Sequence, residues 1–343
     1  MHSLPDVFLA FLRDNAISPA IYDRDQAKHF HCPASDKGRL LHDPVAHDPE
    51  FADASDTCPD FYTLSPAFSF ARSALYTCTP AVILPMELSS GVAVSLLNLQ
   101  PSDHLLDLCC APGCKLVLAA RTMHATPTPL ATTGIITGVD ISPRRLANTR
   151  ALLKKYSVPH VRLFQADGTT FAQHPIAFTS TPHAHAHAQQ PSTPRPFHAS
   201  TSLRKRPTTS LPHLYHKVMV DAQCTHDGSI KHIRKHLGTS TTSSIDWSQF
   251  HPDSLAALHD LQFRLISNGF ELLQPGGIMI YSTCSLSRAQ NELIAERFLQ
   301  AHPHAQPLPF AVGSHPSNDA AQFRFHPGMG TGGFFIFRVT KAE

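Results

Sequence analysis

From Leu88 onward the chain alternates short continuous apolar runs with longer stretches in which apolar residues return every three or four positions. Continuous runs read as strands buried on both faces, and the periodic stretches read as amphipathic helices. A helix starts at Leu88-Ser89-Ser90-Gly91, keeps Val92, Val94, Leu96, Leu97 and Leu99 apolar, and stops at Pro101. A strand over Leu105-Leu106-Asp107-Leu108 follows, then the tight turn Ala111-Pro112-Gly113 and a helix from about Lys115. The second strand runs from Gly134 to Val139 and closes on Asp140, and the helix after it spans about Pro143 to Tyr156. The third strand is Val161 to Phe164, ahead of Asp167, and the fourth is Lys217 to Val220. A long helix over about Asp253 to Leu273 leads into the fifth strand, Ile278 to Ser282. A helix from about Ala289 to Leu299 and a last strand, Gly333 to Val339, complete the series. Strands alternating with helices predict an α/β fold with a mostly parallel, doubly wound sheet.

The pattern is less regular before Leu88. Leu4, Val7, Phe8, Phe11 and Leu12 share one face of a helix over residues 4–15. Residues 32–60 are rich in Asp, His and Pro and read as an irregular loop, and Ala81-Val82-Ile83-Leu84 resembles a short strand. We expect residues 1–75 to form a small N-terminal module of undefined fold and residues 76–343 to form the main domain. Within the latter, 175–212 is low in complexity, beginning with a His183-Ala184-His185-Ala186-His187 repeat, and reads as a disordered surface insertion.

An apolar content of 42% in 343 residues is ordinary for a globular chain, and a net charge of +2 excludes a strongly basic nucleic-acid binder. Any RNA-binding face must come from local clusters. Two are visible: the helix carrying Arg144, Arg145, Arg150, Lys154 and Lys155, and the run Lys231, Arg234, Lys235, His236. The eight cysteines are irregularly spaced, which suits reduced thiols of an intracellular protein, nuclear or cytoplasmic, over a disulfide framework. Cys109-Cys110-x-x-x-Cys114 lacks the paired spacing of a zinc site, and the His-Ala repeat reads as solvated, so no metal is expected. Neither a secretory signal nor a membrane span is expected, and no repeat or coiled coil suggests more than a monomer.

Four acidic residues, Asp107, Asp140, Asp167 and Asp221, stand at or just after successive strand ends. That edge is where open α/β sheets bind ligands, and the acid after the second strand, here Asp140, is the usual acceptor for ribose hydroxyls. The turn Cys109 to Lys115 lacks G-x-G-x-x-G, so a pyrophosphate is disfavoured and a phosphate-free nucleoside such as S-adenosylmethionine fits better. Two thiols share the edge. Cys284 ends Tyr281-Ser282-Thr283-Cys284, and Cys224 lies three residues after Asp221. Placed on one pocket with Asp221, they offer a nucleophile and a carboxylate for carbon methylation of a pyrimidine.

Four motifs in order carry a resemblance. Leu106-Asp107-Leu108-Cys109-Cys110-Ala111-Pro112-Gly113-Cys114-Lys115 resembles D-L-C-A-A-P-G-G-K, and Asp221-Ala222-Gln223-Cys224 resembles D-A-P-C. Tyr281-Ser282-Thr283-Cys284-Ser285 with Gln290-Asn291-Glu292 resembles Y-S-T-C-S followed by E-N-E, and Met86-Glu87-Leu88-Ser89-Ser90 resembles the short motif ahead of the cofactor turn. The chain thus resembles, over about residues 60–343, the NOL1/NOP2/Sun (RsmB-type) family of RNA cytosine-5 methyltransferases. Within that family, Cys224 to Lys231, Trp247, and Leu258, Leu261, Gln262 and Arg264 look most like the eukaryotic tRNA-modifying branch.

The resemblance implies a class I methyltransferase fold acting on tRNA, or alternatively ribosomal RNA, through a Cys284 adduct at cytosine C6. Cys224 would assist adduct breakdown, Asp221 would hold the cytosine edge and Lys115 would lie beside it. The turn Cys109, Cys110, Ala111, Pro112, Gly113, Cys114 and Lys115, with Asp140, Asp167 and Asp221, would surround S-adenosylmethionine. Arg144, Arg145, Lys231, Arg234 and Lys235 would contact RNA, whose target base must be extruded. Cys114 in place of the second motif glycine, Gln223 in place of proline and Gln290 in place of glutamate bear on catalytic efficiency more than on fold. They also leave open a catalytically silent RNA-binding scaffold. An amino-group methyltransferase is disfavoured, because that chemistry uses a D/N-P-P-aromatic strand end where this chain has Asp-Ala-Gln-Cys.

Overall fold

The computed structural model describes residues 4–125, 133–171, 196–204, 214–237 and 245–343. Its main sheet runs in the order Ala305–Pro307, Phe334–Lys341, Leu273–Thr283, Tyr215–Asp221, His104–Asp107, Ile135–Asp140, Val161–Gln165 and His198–Ala199. The strands from Leu273–Thr283 through Val161–Gln165 are parallel to one another. The outer strands are antiparallel, including Gln322–Phe325 against Phe334–Lys341. The doubly wound sheet expected from the alternation is present.

Continuous apolar runs became the central strands because helices cover both faces there. Val218, Met219 and Val220 are all fully buried, so alternation has no solvent side to report. The chain begins at His104–Asp107, winds outward to Val161–Gln165, then returns to add Tyr215–Asp221 on the other side. The direction therefore reverses between His104–Asp107 and Tyr215–Asp221, and a crevice opens beyond their carboxyl ends. The helix Pro143–Lys155 starts cleanly at this edge. Pro143 takes its first turn and the Ser142 hydroxyl accepts from the Arg145 N–H at 3.3 Å.

The N-terminal residues form a four-stranded antiparallel sheet in the order Ala52–Asp53, Phe61–Leu64, Lys28–His31 and Leu84–Pro85. Its last strand lies beyond residue 75, where the sequence pattern puts the end of the module. Residues 32–60 are also more ordered than an irregular loop. The buried Asp43 carboxylate accepts from Val45 N, Ser73 Oγ and Leu75 N and pins this stretch to the start of the helical turn Ala74–Thr77. The first helix, Asp6–Asp14, packs elsewhere. Its Phe8 ring lies 4.6 Å from Phe250 and 5.1 Å from Trp247, in a cluster with Ile230 and Ile233. The first 75 residues thus divide between two places.

Most of the expected 175–212 insertion, including the His-Ala repeat, lies outside the described residues. Its described part departs from a surface loop: His198–Ala199 pairs with Arg162 and Leu163, and Thr201–Arg204 forms a helical turn. Among the described residues no helix is long and apolar enough to cross a membrane.

Candidate active site

Two neighbouring parallel strands deliver the thiols. Ser282 sits opposite Asp221 in the register, so the turns that follow, carrying Cys284 and Cys224, leave the same edge side by side. The two Sγ atoms are 3.3 Å apart. The Cys224 turn is held from beneath by buried amides. Gln290 Oε1 accepts from Thr225 N at 3.1 Å, its Nε2 donates to Thr225 Oγ1 at 2.8 Å, and Gln262 Nε2 donates to the Gln223 carbonyl at 2.8 Å. The Thr225 hydroxyl donates to Asp227, whose Oδ2 accepts from Leu286 N at 2.8 Å. Gly228 N donates to the Cys284 carbonyl at 2.9 Å, joining the two turns directly.

Beside the sulfurs lies an ion pair. Lys115 Nζ donates to Asp221 Oδ2 at 2.6 Å, and Asp221 Oδ1 accepts from Ser282 Oγ at 2.7 Å. Burial alone would lower the lysine pKa, but the charge and hydrogen bond of Asp221 outweigh it and raise the value, so the ammonium persists. Beneath this pair, burial first and the charge of Asp221 second push the Asp107 carboxyl up to about 7. The two thiols titrate as one unit. One S–H donates to the other sulfur, so the pair loses its first proton well below the ordinary thiol range and its second well above it.

These groups open on a cavity of about 710 Å³. Among the sequence-predicted residues, Cys109, Ala111, Pro112, Lys115, Asp140, Arg145, Asp167, Asp221, Cys224, Lys231 and Cys284 line it. Asp140 accepts from Ala111 N at 3.3 Å and from Ser142 N at 2.9 Å, which fixes its carboxylate at the cavity wall. Asp167 is held by the Thr169 N–H and hydroxyl, both at 2.8 Å.

Several predicted residues are placed differently. Cys110 is buried beneath the Ile135–Asp140 strand, so close that a Cβ on Gly138 would come within 2.9 Å of its sulfur. Cys114 is the first residue of the helix Cys114–Met123, and the left-handed turn position is Gly113, at φ 104°. The glycine requirement of this turn therefore falls on Gly113, where a Cβ would meet Thr149 Cγ2 at 2.7 Å, and Cys114 occupies an ordinary position. Arg144, Arg234 and Lys235 lie outside the cavity on exposed positions. Proposed RNA-contacting cations serve protein partners. Arg145 Nη2 donates to the Ala111 carbonyl at 2.6 Å, Lys231 donates to Glu87 Oε1 at 2.7 Å, and Arg234 donates to Asp25 at 2.6 Å.

The cavity also takes Gln26, Glu87, Ser89, Ser90, His226 and Phe334, to which sequence reasoning gave no role. Gln26 Nε2 is buried without a hydrogen-bond partner in the described structure and belongs to a cavity-lining residue. Glu87 and both serines stand in the Met86 to Ser90 motif, which was the available signal. His226 was legible only as part of a run. Its Nδ1 approaches Cys284 Sγ to 2.9 Å and Cys224 Sγ to 3.9 Å. A zinc ion shared tetrahedrally by two sulfurs and a nitrogen would hold S and N about 3.5 Å apart, so the shortest of these contacts has hydrogen-bond spacing, not that of a shared cation.

The sheet, the strand-end thiols and the acidic edge match a known family. Residues 94–179 and 198–340 match the family described as 16S rRNA methyltransferase RsmB/F. The chain belongs to that family. Its fold is the class I methyltransferase fold. Among the relatives, a protein of Drosophila melanogaster named tRNA (cytosine(34)-C(5))-methyltransferase is 24% identical over 71% of this chain and 28% of its own length. A Shewanella amazonensis protein named ribosomal RNA small subunit methyltransferase F is 26% identical over 56% of this chain and 30% of its own. The chain therefore spans less than a third of either relative. A solved methyltransferase homolog from Pyrococcus horikoshii superposes with a TM-score of 0.64 at 20% identity, covering 98% of this chain and 100% of that one.

Proposed function

We propose that this chain is an S-adenosylmethionine-dependent RNA (cytosine-5) methyltransferase, with tRNA the first substrate to test and ribosomal RNA the alternative. The observation that carries the reading is the pair of thiols, 3.3 Å apart, sharing one cavity with the Lys115–Asp221 ion pair. Cytosine C5 does not attack a methyl donor unaided. A thiolate that adds to C6 through its sulfur lone pair shifts the C5=C6 electrons onto C5, which then attacks the methyl carbon. In this reading Cys284 is the nucleophile, and Asp221 with Lys115 holds the cytosine edge and balances the charge that builds on the ring. Loss of the C5 proton then restores the double bond and returns the C6–S electron pair to sulfur, with Cys224 assisting.

The donor set suits the cofactor. Asp140 and Asp167 line the cavity beside the Cys109–Lys115 turn, an acidic wall that accepts ribose hydroxyls and tolerates a sulfonium but repels a pyrophosphate. S-adenosylmethionine, when bound, supplies the methyl group. The exposed Arg144 is a candidate for phosphate contact, together with the small N-terminal sheet as a second unit. In this reading the chain works as a monomer on nuclear or cytoplasmic RNA.

The test is transfer of labelled methyl from S-adenosylmethionine to tRNA, read as 5-methylcytidine after nuclease digestion. Transfer by wild type and its loss in Cys284→Ala support the reading. Cofactor binding without transfer to tRNA or ribosomal RNA overturns it in favour of a silent scaffold.

A further inference from the structure

We propose that His226 is a further catalytic residue: its imidazolium holds the Cys284 sulfur as a thiolate and then serves Cys224 in the same way. The catalytic use of this pair rests on the function proposed above, whereas the pair itself rests on geometry. His226 Nδ1 lies 2.9 Å from Cys284 Sγ, the closest approach of a titratable group to either sulfur among the contacts described. The 3.9 Å separation from Cys224 Sγ places the second sulfur within electrostatic reach.

The backbone supports a selected side chain. His226 sits at φ 56°, in the left-handed region that favours glycine and asparagine. A histidine here carries a conformational cost that glycine would not, and it returns nothing to the core, because the ring is exposed to the cavity. The turn is locked by the Thr225, Asp227 and Gly228 hydrogen bonds described above, which aim the ring at the sulfurs. The other charged or titratable groups around it are Asp221, Asp227, Lys115, Lys231 and Glu87, with the His232 ring 5.5 Å away. The two aspartates favour an imidazolium, and Lys115 is neutralised by its own partner. The negative charge of the thiol pair, first among several causes, raises the His226 pKa to about 9.

The proton inventory balances. Two protons are shared by three groups. One moves from the Cys284 S–H to Nδ1, leaving its electron pair on sulfur, and the other stays on Cys224, whose S–H donates to that sulfur. When Cys284 bonds to C6 its charge passes to the ring. The imidazolium then faces Cys224, which releases its proton to water and becomes the thiolate that takes the C5 proton. Expulsion of Cys284 returns the C6–S pair to sulfur and restores the starting state, with one proton released per methyl transferred.

The test is the pH dependence of alkylation by iodoacetamide, with the modified cysteine located by mass spectrometry, in wild type, His226→Asn and His226→Gly. Both replacements suit φ 56°, so the variants fold, and a thermal melt verifies it. Neither RNA nor cofactor is present, so the result is independent of methyl transfer. We expect wild-type Cys284 to alkylate with an apparent pKa below the ordinary ~8.5. Both variants should shift that profile upward and lower the rate at neutral pH at least tenfold. An unchanged profile in either folded variant overturns the ion pair. If the profile shifts but wild type transfers no methyl group, the function proposed above fails and the catalytic use of the pair fails with it, while the thiolate–imidazolium pair stands.

Discussion

Gln290→Ala should loosen the floor of the thiol pair. The side chain is fully buried and makes three contacts: Oε1 accepts from Thr225 N at 3.1 Å and from Gln262 Nε2 at 3.3 Å, and Nε2 donates to Thr225 Oγ1 at 2.8 Å. Truncation leaves the Thr225 N–H, the residue after Cys224, buried without a partner, at a cost of about 1–3 kcal/mol. The void left by the missing amide and methylene adds roughly 1–2 kcal/mol. Thr225 Oγ1 still donates to Asp227, and Gln262 still reaches the Gln223 carbonyl, so neither adds a second full penalty. The sum is about 3 kcal/mol. Urea unfolding of wild type and variant, with the slope unchanged, reads this as a lower midpoint. Gln100→Ala, at an exposed position, is the control and should stay within about 0.5 kcal/mol. A Gln290→Ala loss below about 1 kcal/mol would refute the assignment of Gln290 as the support of the Cys224 turn.

Other outcomes follow from the same geometry. Lys115→Met leaves Asp221 partly buried beside Asp107 without its 2.6 Å partner and should cost about 3 kcal/mol in a denaturant titration, with methyl transfer abolished. Gly113→Ala adds a Cβ 2.7 Å from Thr149 Cγ2 at φ 104° and should destabilise by about 2 kcal/mol while weakening S-adenosylmethionine binding by calorimetry. Asp107 is raised to about 7 in the fold against roughly 3.9 unfolded. The native state therefore holds a proton that the unfolded state has lost, and stability falls as pH rises between those values, by up to about 4 kcal/mol in total. Asp107→Asn should flatten that slope in unfolding measured from pH 5 to 8, and an unaltered slope contradicts the buried-carboxyl reading.

The sequence made the centre of the sheet legible and its edges opaque, for physical reasons. Tyr215–Asp221 and Leu273–Thr283 are covered on both faces, so their apolar runs stand out. Lys28–His31 carries two buried histidines that no hydropathy pattern would bury. They are tolerated because Arg121 lies 3.0 Å from His31 and Glu87 lies 3.5 Å from His29. Ala305–Pro307 and Gln322–Phe325 are too short to show a period. Motif spacing brought Cys224, Cys284, Asp221 and Lys115 to one cavity. It could not show that Arg145, Lys231 and Arg234 are tied to protein acceptors, because those partners are distant in sequence. Nor could it show that residue 226 adopts a left-handed backbone that turns its ring onto the sulfurs.

The central claim is a covalent adduct through Cys284 that Cys224 resolves. Its most direct measurement is denaturing electrophoresis of Cys224→Ala incubated with tRNA and S-adenosylmethionine, followed by peptide mapping. The account predicts a denaturation-resistant protein–RNA band linked at Cys284, absent from Cys284→Ala and from the double variant. A band that persists without Cys284, or full turnover by Cys284→Ala, would contradict it.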